Sequence, residues 1–132
     1  MNARHHADES FRVFLVEDSP IIRERLVDLL EPLDGTRLVG YADRSDTAIR
    51  DIVAERPDAV LLDLSLAEGS GIDVLRALKE EAPDVDVFVL TNSTSPRYRR
   101  LCDKLGARGF FDKSTEFQKV RDVIACKASR LH

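Results

Sequence analysis

The sequence predicts an α/β fold built on a doubly wound parallel sheet, and three observations carry that prediction. Five short apolar runs alternate with five amphipathic segments of helical period. The runs are nearly continuous in Val, Leu, Ile and Phe, the pattern of strands buried on both faces, so helices are expected on both sides of the sheet. The 132 residues show no repeat, no low-complexity tract and no linker to a second unit, so one domain spanning residues 11–132 is expected after a loose segment of about ten residues.

Phe11 to Val16 (FRVFLV) is the first strand and ends at an acidic pair, Glu17 and Asp18. Ser19 as N-cap and Pro20 at the first helical position open a helix carrying Ile22, Leu26, Leu29, Leu30 and Leu33 on one face. Arg37 to Tyr41 is a second, shorter strand. Ser45 or Asp46 is placed to cap a helix with Ala48, Ile49, Ile52 and Val53 inward, closed by Pro57. Ala59 to Leu62 (AVLL) is too short for a helix and delivers Asp63 at its end.

Gly69 and Gly71 mark a flexible turn before a helix with Val74, Leu75 and Leu78, which Pro83 follows. Val85 to Leu90 is the fourth strand. Pro96 starts a helix with Tyr98, Leu101, Cys102 and Leu105 at helical spacing, and Gly106 stops it. Gly109 to Phe111 is the fifth strand. Phe117, Val120, Ile124 and Ala128 define the face of a last helix.

Composition excludes several classes. With 43% hydrophobic and 33% charged residues the chain is not a disordered one. No apolar run approaches bilayer length and MNARHHADES lacks a signal-peptide core, so a cytoplasmic protein without membrane contact is expected. Cys102 and Cys126 belong to no CxxC or Cys/His cluster and read as reduced, mostly buried thiols. The net charge of −4 is uneven, since residues 95–132 hold 10 Lys/Arg against 4 Asp/Glu.

In open parallel sheets ligands bind beyond the C-terminal strand ends. There the sequence brings Glu17, Asp18, Asp63, Thr91 and, after the fifth strand, Lys113. Each has an ordinary structural reading: an acidic pair complements a helix N-terminus, and a lysine pairs with Asp112 or Glu116 in solvent. Three carboxylates at one edge nevertheless repel and raise one another's pKa unless a cation lies among them. Oxygen donors without a nearby His or Cys suit magnesium, or manganese, rather than zinc. Asp63 is then the candidate nucleophile for phosphorus, with Thr91 and Lys113 holding phosphoryl oxygens.

VEDSP with Glu17 and Asp18, LLDLSLAEGSG with Asp63, VLTNS with Thr91 and GFFDKS with Lys113 together resemble the receiver domains of two-component response regulators, over roughly Phe11 to Ala128. The resemblance implies a flavodoxin-like sheet of order 2-1-3-4-5 and a single-domain, chemotaxis-regulator-like switch. It implies Asp63 as phosphoacceptor, Asp18 as direct metal ligand, Glu17 as a ligand through water and the Ser65 main-chain carbonyl as a further ligand. Thr91 is then the hydroxyl that moves toward the phosphoryl group, Lys113 the family lysine, and Phe110 either the switch aromatic or an ordinary packed one. Ala67 and Ser114 stand where the family often has Pro, Asn92 is larger than the usual residue after Thr91, and the Lys113–Ser114 bond is expected trans.

The implied partners are a histidine kinase or phosphotransfer protein upstream and an unknown, acidic protein downstream. That partner would meet the face of the fourth helix, fifth strand and fifth helix, through Arg97, Arg99, Arg100, Lys104, Arg108 and Lys119. The alternative for these residues is a solvated charged face. No helix-turn-helix is apparent, so no direct nucleic-acid binding is expected; a monomer or a phosphorylation-dependent dimer is. The expected chemistry is self-directed, not an enzyme's. Two other readings stay open: a receiver-like binding module independent of phosphorylation, and an aspartyl-phosphate hydrolase, although Ser65 occupies the position of that class's general acid.

Overall fold

The computed structural model describes residues 10–66 and 68–131. The expected loose N-terminal segment and the departure at Ala67 fall outside the described residues, apart from Ser10. Five strands, β1 (Phe11–Val16), β2 (Thr36–Ala42), β3 (Ala59–Leu62), β4 (Asp86–Thr91) and β5 (Gly109–Asp112), form one sheet of order β2-β1-β3-β4-β5 with every pairing parallel. Five helices connect them: α1 (Pro20–Leu30), α2 (Ser45–Glu55), α3 (Gly71–Glu81), α4 (Pro96–Lys104) and α5 (Phe117–Leu131).

The alternation of side chains along each strand divides the interior in two. Val13, Leu15, Leu61, Phe88 and Leu90 pack with Leu26 and Leu30 of α1 and Val120, Ile124 and Ala128 of α5. Phe14, Val16, Val60, Leu62, Val87 and Val89 point the other way, against Ile52 of α2, Val74, Leu75 and Leu78 of α3 and Cys102 of α4. Central β3 is buried at all four positions, as its unbroken AVLL run predicts. Each such fully buried aliphatic side chain contributes about 1.5–3 kcal/mol, so the sheet that carries the site is a rigid platform.

Local chemistry departs from the sequence reading at four places. Helix α1 stops at Leu30, short of Leu33, whose N–H bonds in a turn to the Leu30 carbonyl at 3.0 Å. Helix α2 has Arg44 as N-cap with no side-chain cap; the Ser45 N–H donates instead to the Glu68 carbonyl at 3.0 Å. Cys102 is buried but Cys126 is exposed, because it lies two residues, about 200° around the helix, from buried Ile124. Tyr98, assigned to the inward face of α4, is 43% exposed, since α4 rests on the sheet mainly through Cys102.

Candidate functional site

The backbone ladder continues one residue past β1 and β3 and sets two carboxylates side by side. The Glu17 N–H donates to the Ala42 carbonyl and the Asp63 N–H to the Val16 carbonyl, each at 3.0 Å. On the other flank the Lys113 N–H donates to the Thr91 carbonyl at 2.9 Å. Glu17, Asp63 and Thr91, at 2%, 5% and 1% exposure, are the buried polar residues among the described ones. All three lie at the strand ends, where the sequence placed the chemistry.

The Lys113 ammonium crosses the cleft, with Nζ 2.7 Å from Glu17 Oε1 and 3.0 Å from Asp63 Oδ2. Asp18 completes the cluster, since one carboxylate oxygen each from Glu17, Asp18 and Asp63 lie within 4.8 Å of one another. Asp18 is half-buried, and among the described residues no cationic side chain pairs with it. One ammonium therefore faces three carboxylates. Burial pushes the Glu17 carboxyl above its ordinary value, with the Lys113 hydrogen bond opposing. Burial also works against the charged form of Lys113, but its bonds to Glu17 and Asp63 prevail and hold the ammonium above the usual lysine value.

Backbone N–H groups orient the other side chains of the cleft. The Ser65 N–H donates to Asp63 Oδ1 at 3.2 Å, the Ser19 N–H to Glu17 Oε2 at 3.1 Å, and the Ser93 N–H to Thr91 Oγ1 at 3.1 Å. Arg23 Nη1 donates to the Glu17 carbonyl at 2.9 Å. A Cβ at Gly71 would run into the Asp63 carbonyl and lie 2.6 Å from Leu64 Cα, so only glycine lets α3 start against the end of β3.

The other named residues lie outside the cleft. Phe110 is half-buried beneath the Arg99 guanidinium, 4.6 Å from the ring centroid, and Arg99 Nη1 donates to the Phe110 carbonyl at 3.4 Å. Arg97, Arg99, Arg100, Lys104, Arg108 and Lys119 are all exposed, but they do not form one free patch. Arg108 pairs with Asp86 at 3.2 Å and Lys119 with Glu116 at 3.0 Å. Arg99, Arg100 and Arg108 line a recess of about 370 Å³ with Asp103, Ala107, Gly109 and Phe110. Asn92 is exposed, and the described residues contain no cis peptide bond, so Lys113–Ser114 is trans.

Sequence reasoning missed Arg23, which ties α1 to the Glu17 backbone, and the bonds that Asp112, Ser114 and Glu116 make with one another around Lys113. Asp112 accepts from the Ser114 N–H at 2.8 Å, and the Asp112 N–H donates to Glu116 at 2.8 Å. The signal was present in the order Asp-Lys-Ser, since an Asp bonding the backbone two residues on makes an Asx turn.

The donor set fits a hard divalent ion: oxygen ligands, one of them without a cationic partner, in a cleft whose carboxylate charge exceeds the cation charge facing it.

A doubly wound parallel sheet with an acidic cleft at its strand ends, crossed by one lysine, defines the class of protein. The family model for the response regulator receiver domain matches residues 13–125, and the chain belongs to that family. It is 36% identical over 113 residues to the DNA-binding transcriptional activator DevR/DosR of Mycobacterium tuberculosis, covering 86% of this chain and 52% of that protein. It is 35% identical over 118 residues to a protein-glutamate methylesterase/protein-glutamine glutaminase of Syntrophus aciditrophicus, covering 86% of this chain and 33% of the relative. The chain thus spans about half the length, or less, of these relatives. Among solved structures, a LuxR-family two-component response regulator from Aurantimonas sp. superposes with a TM-score of 0.83 at 26% identity, covering 92% of this chain and 86% of that one. The receiver domain of a sensor histidine kinase from Pseudomonas aeruginosa, with a magnesium ion coordinated in its active site cleft, shares the fold at a TM-score of 0.77 and 22% identity, covering 91% of this chain and 98% of that one.

Proposed function

We propose that this receiver domain is a phosphorylation-controlled switch that accepts a phosphoryl group on Asp63 from a histidine kinase or phosphotransfer protein. The observation that carries the reading is the Lys113 ammonium held between Glu17 and Asp63 in a cleft that still has excess carboxylate charge. An Asp63 carboxylate oxygen forms a bond to phosphorus as the bond from phosphorus to the donor's nitrogen breaks, and the donor imidazole leaves. Magnesium or manganese, when bound, neutralises charge between the carboxylates and the phosphoryl oxygens. Asp18, Asp63 and the Ser65 carbonyl are the direct ligands of this reading, and Glu17 acts through water. Lys113 exchanges part of its contact with Asp63 for a phosphoryl oxygen, and the Thr91 hydroxyl supplies a further hydrogen bond.

The added charge biases a two-state equilibrium whose readout is the face of α4, β5 and α5. Arg97, Arg100 and Lys104 there have no ion-pair partner among the described residues, which supports an acidic protein as the downstream partner. Phe110 under Arg99 is the aromatic placed to change on that face. The chain catalyses only its own modification in this reading, in the cytoplasm, as a monomer or a phosphorylation-dependent dimer, without direct nucleic-acid contact. No described helix is long and apolar enough to cross a membrane.

Intact mass after exposure to acetyl phosphate tests the reading. The expected result is one added phosphoryl mass on the native protein with magnesium, and none with EDTA or in Asp63→Asn. No added mass on the native protein under these conditions would favour a phosphorylation-independent binding module. Rapid turnover of a small phosphoester would favour the hydrolase.

A further inference from the structure

The last residues of β5 are held by an arrangement that the proposed phosphotransfer does not itself require. Asp112 Oδ1 accepts from both the Ser114 N–H, at 2.8 Å, and the Ser114 Oγ, at 2.6 Å. Its own N–H, on the edge strand of the sheet, donates to Glu116 Oε1 at 2.8 Å, and its carbonyl accepts the Glu116 N–H at 2.8 Å. Glu116 is tied in turn to Lys119 at 3.0 Å. Glu116 thus bonds the Asp112 backbone at both its N–H and its carbonyl, across the three-residue turn that begins with Lys113.

These groups are not in the cleft. Ser114 and Thr115 are exposed, and neither Asp112 nor Glu116 touches Glu17, Asp18 or Asp63 among the described contacts. The hydrogen bonds from Ser114 hold the Asp112 carboxyl below its ordinary value, and that from the Asp112 N–H does the same for Glu116, so both are charged acceptors at neutral pH. Lys113 itself has a long, flexible stem and, among the described residues, one backbone bond, to Thr91, to fix where that stem begins. A serine follows it, with no ring to set the backbone.

We propose that Asp112, whose carboxyl holds Ser114 while Glu116 holds its backbone, is a positioning residue: it sets the turn after β5 so that the Lys113 ammonium stands between Glu17 and Asp63. The inference rests on the phosphoacceptor reading for its consequence but not for its geometry. A displaced ammonium has two effects of opposite sign. It no longer offsets the carboxylates, so a divalent ion binds more tightly, and it no longer meets the phosphoryl oxygens, so transfer slows. A merely structural loss weakens both.

The test compares native protein, Asp112→Ala, Asp112→Asn, which keeps the acceptor oxygen, and Lys113→Ala as the limiting case. Three measurements are made on each. The first is the lysine ammonium signal by ¹H–¹⁵N NMR, in which a sheltered, hydrogen-bonded ammonium exchanges slowly enough to be seen. The second is magnesium affinity from amide shifts, and the third is the rate of modification by acetyl phosphate.

The expected pattern is a visible Lys113 signal in native protein and Asp112→Asn, and its loss in Asp112→Ala. Magnesium should bind several-fold more tightly to Asp112→Ala and modification should slow by about tenfold, with Asn restoring both. An Asp112→Ala protein that keeps the ammonium signal, or in which both affinity and rate fall together, overturns the proposal. If Asp112→Ala does not fold, Glu116→Ala takes its place with the same expected signs. If the native protein takes no phosphoryl group, the phosphoacceptor reading fails while the ammonium signal still decides the positioning role.

Discussion

The two ends of the sheet both gather charge but balance it differently. At the N-terminal edge Arg12 Nη2 meets Glu55 at 2.6 Å and its Nη1 reaches the Glu55 and Arg56 carbonyls at 2.9 and 3.0 Å. Asp58 accepts the Arg12 N–H at 2.8 Å, and Asp86 is shared by Arg108 at 3.2 Å and Lys127 at 3.4 Å. Arg12 and Asp86 thus meet oppositely charged partners within the chain. At the C-terminal edge Lys113 alone serves Glu17 and Asp63, while Asp18 lies close by. The first edge is closed by ion pairs of its own, whereas at the second, open edge the carboxylates outnumber the ammonium that faces them.

The comparison sharpens first through chemistry. Lys113→Ala removes the ammonium that bridges Glu17 and Asp63, and phosphotransfer to Asp63 is predicted to slow by on the order of a hundredfold, as when one fixed donor to a developing charge is lost. Quench-flow or time-resolved mass measurement with acetyl phosphate reads this directly. An unchanged rate would remove Lys113 from the mechanism.

Geometry comes next. Gly71→Ala drives a methyl group into the Asp63 carbonyl and Leu64, and a forced shift at so tightly packed a position is expected to cost about 1–3 kcal/mol in chemical denaturation. Loss of phosphotransfer beyond what unfolding explains would locate the shift at Asp63. Full native stability would show that the loop after β3 yields more easily than its packing implies.

The smallest effect is the sharpest contrast. Asp86→Asn at the closed edge should destabilise by about 0.5 kcal/mol, the scale of a partly exposed ion pair. Glu17→Gln at the open edge should stabilise the metal-free protein at neutral pH. The sign follows from the raised Glu17 value: between the ordinary carboxyl value and the raised one the folded state binds more protons than the unfolded state. The native protein therefore loses that contribution as pH rises through the window, and the Gln variant, which cannot titrate, does not. Melting curves of both proteins across the acid-to-neutral range check it; a gap between them that shrinks as pH rises contradicts it.

Much of this was legible in the sequence, and for identifiable reasons. AVLL and FRVFLV read as buried strands because they are too short for helices and nearly unbroken in apolar residues, and strand ends then bring Asp63, Glu17 and Asp18 to one place. The strand bounds held to within a residue at β1, β3 and β4, which placed Thr91 on the last rung. What sequence did not yield depends on contacts between segments far apart in the chain. The Glu68 carbonyl that receives the Ser45 N–H and the choice of Lys113 for Glu17 over a solvent pairing with Asp112 are decided by tertiary packing. Cys126 was misjudged because residue type was weighed above helical phase.

The unmet charge of the open edge is tested most directly by the thermal stability of native protein and Asp18→Asn in a magnesium titration at neutral pH. A resident divalent ion that binds only the folded state must raise the melting temperature with concentration. The account predicts a saturable rise in the native protein and little or none in Asp18→Asn, whose melting temperature without metal should already be the higher of the two. No rise in the native protein, or an equal rise in both, would contradict it.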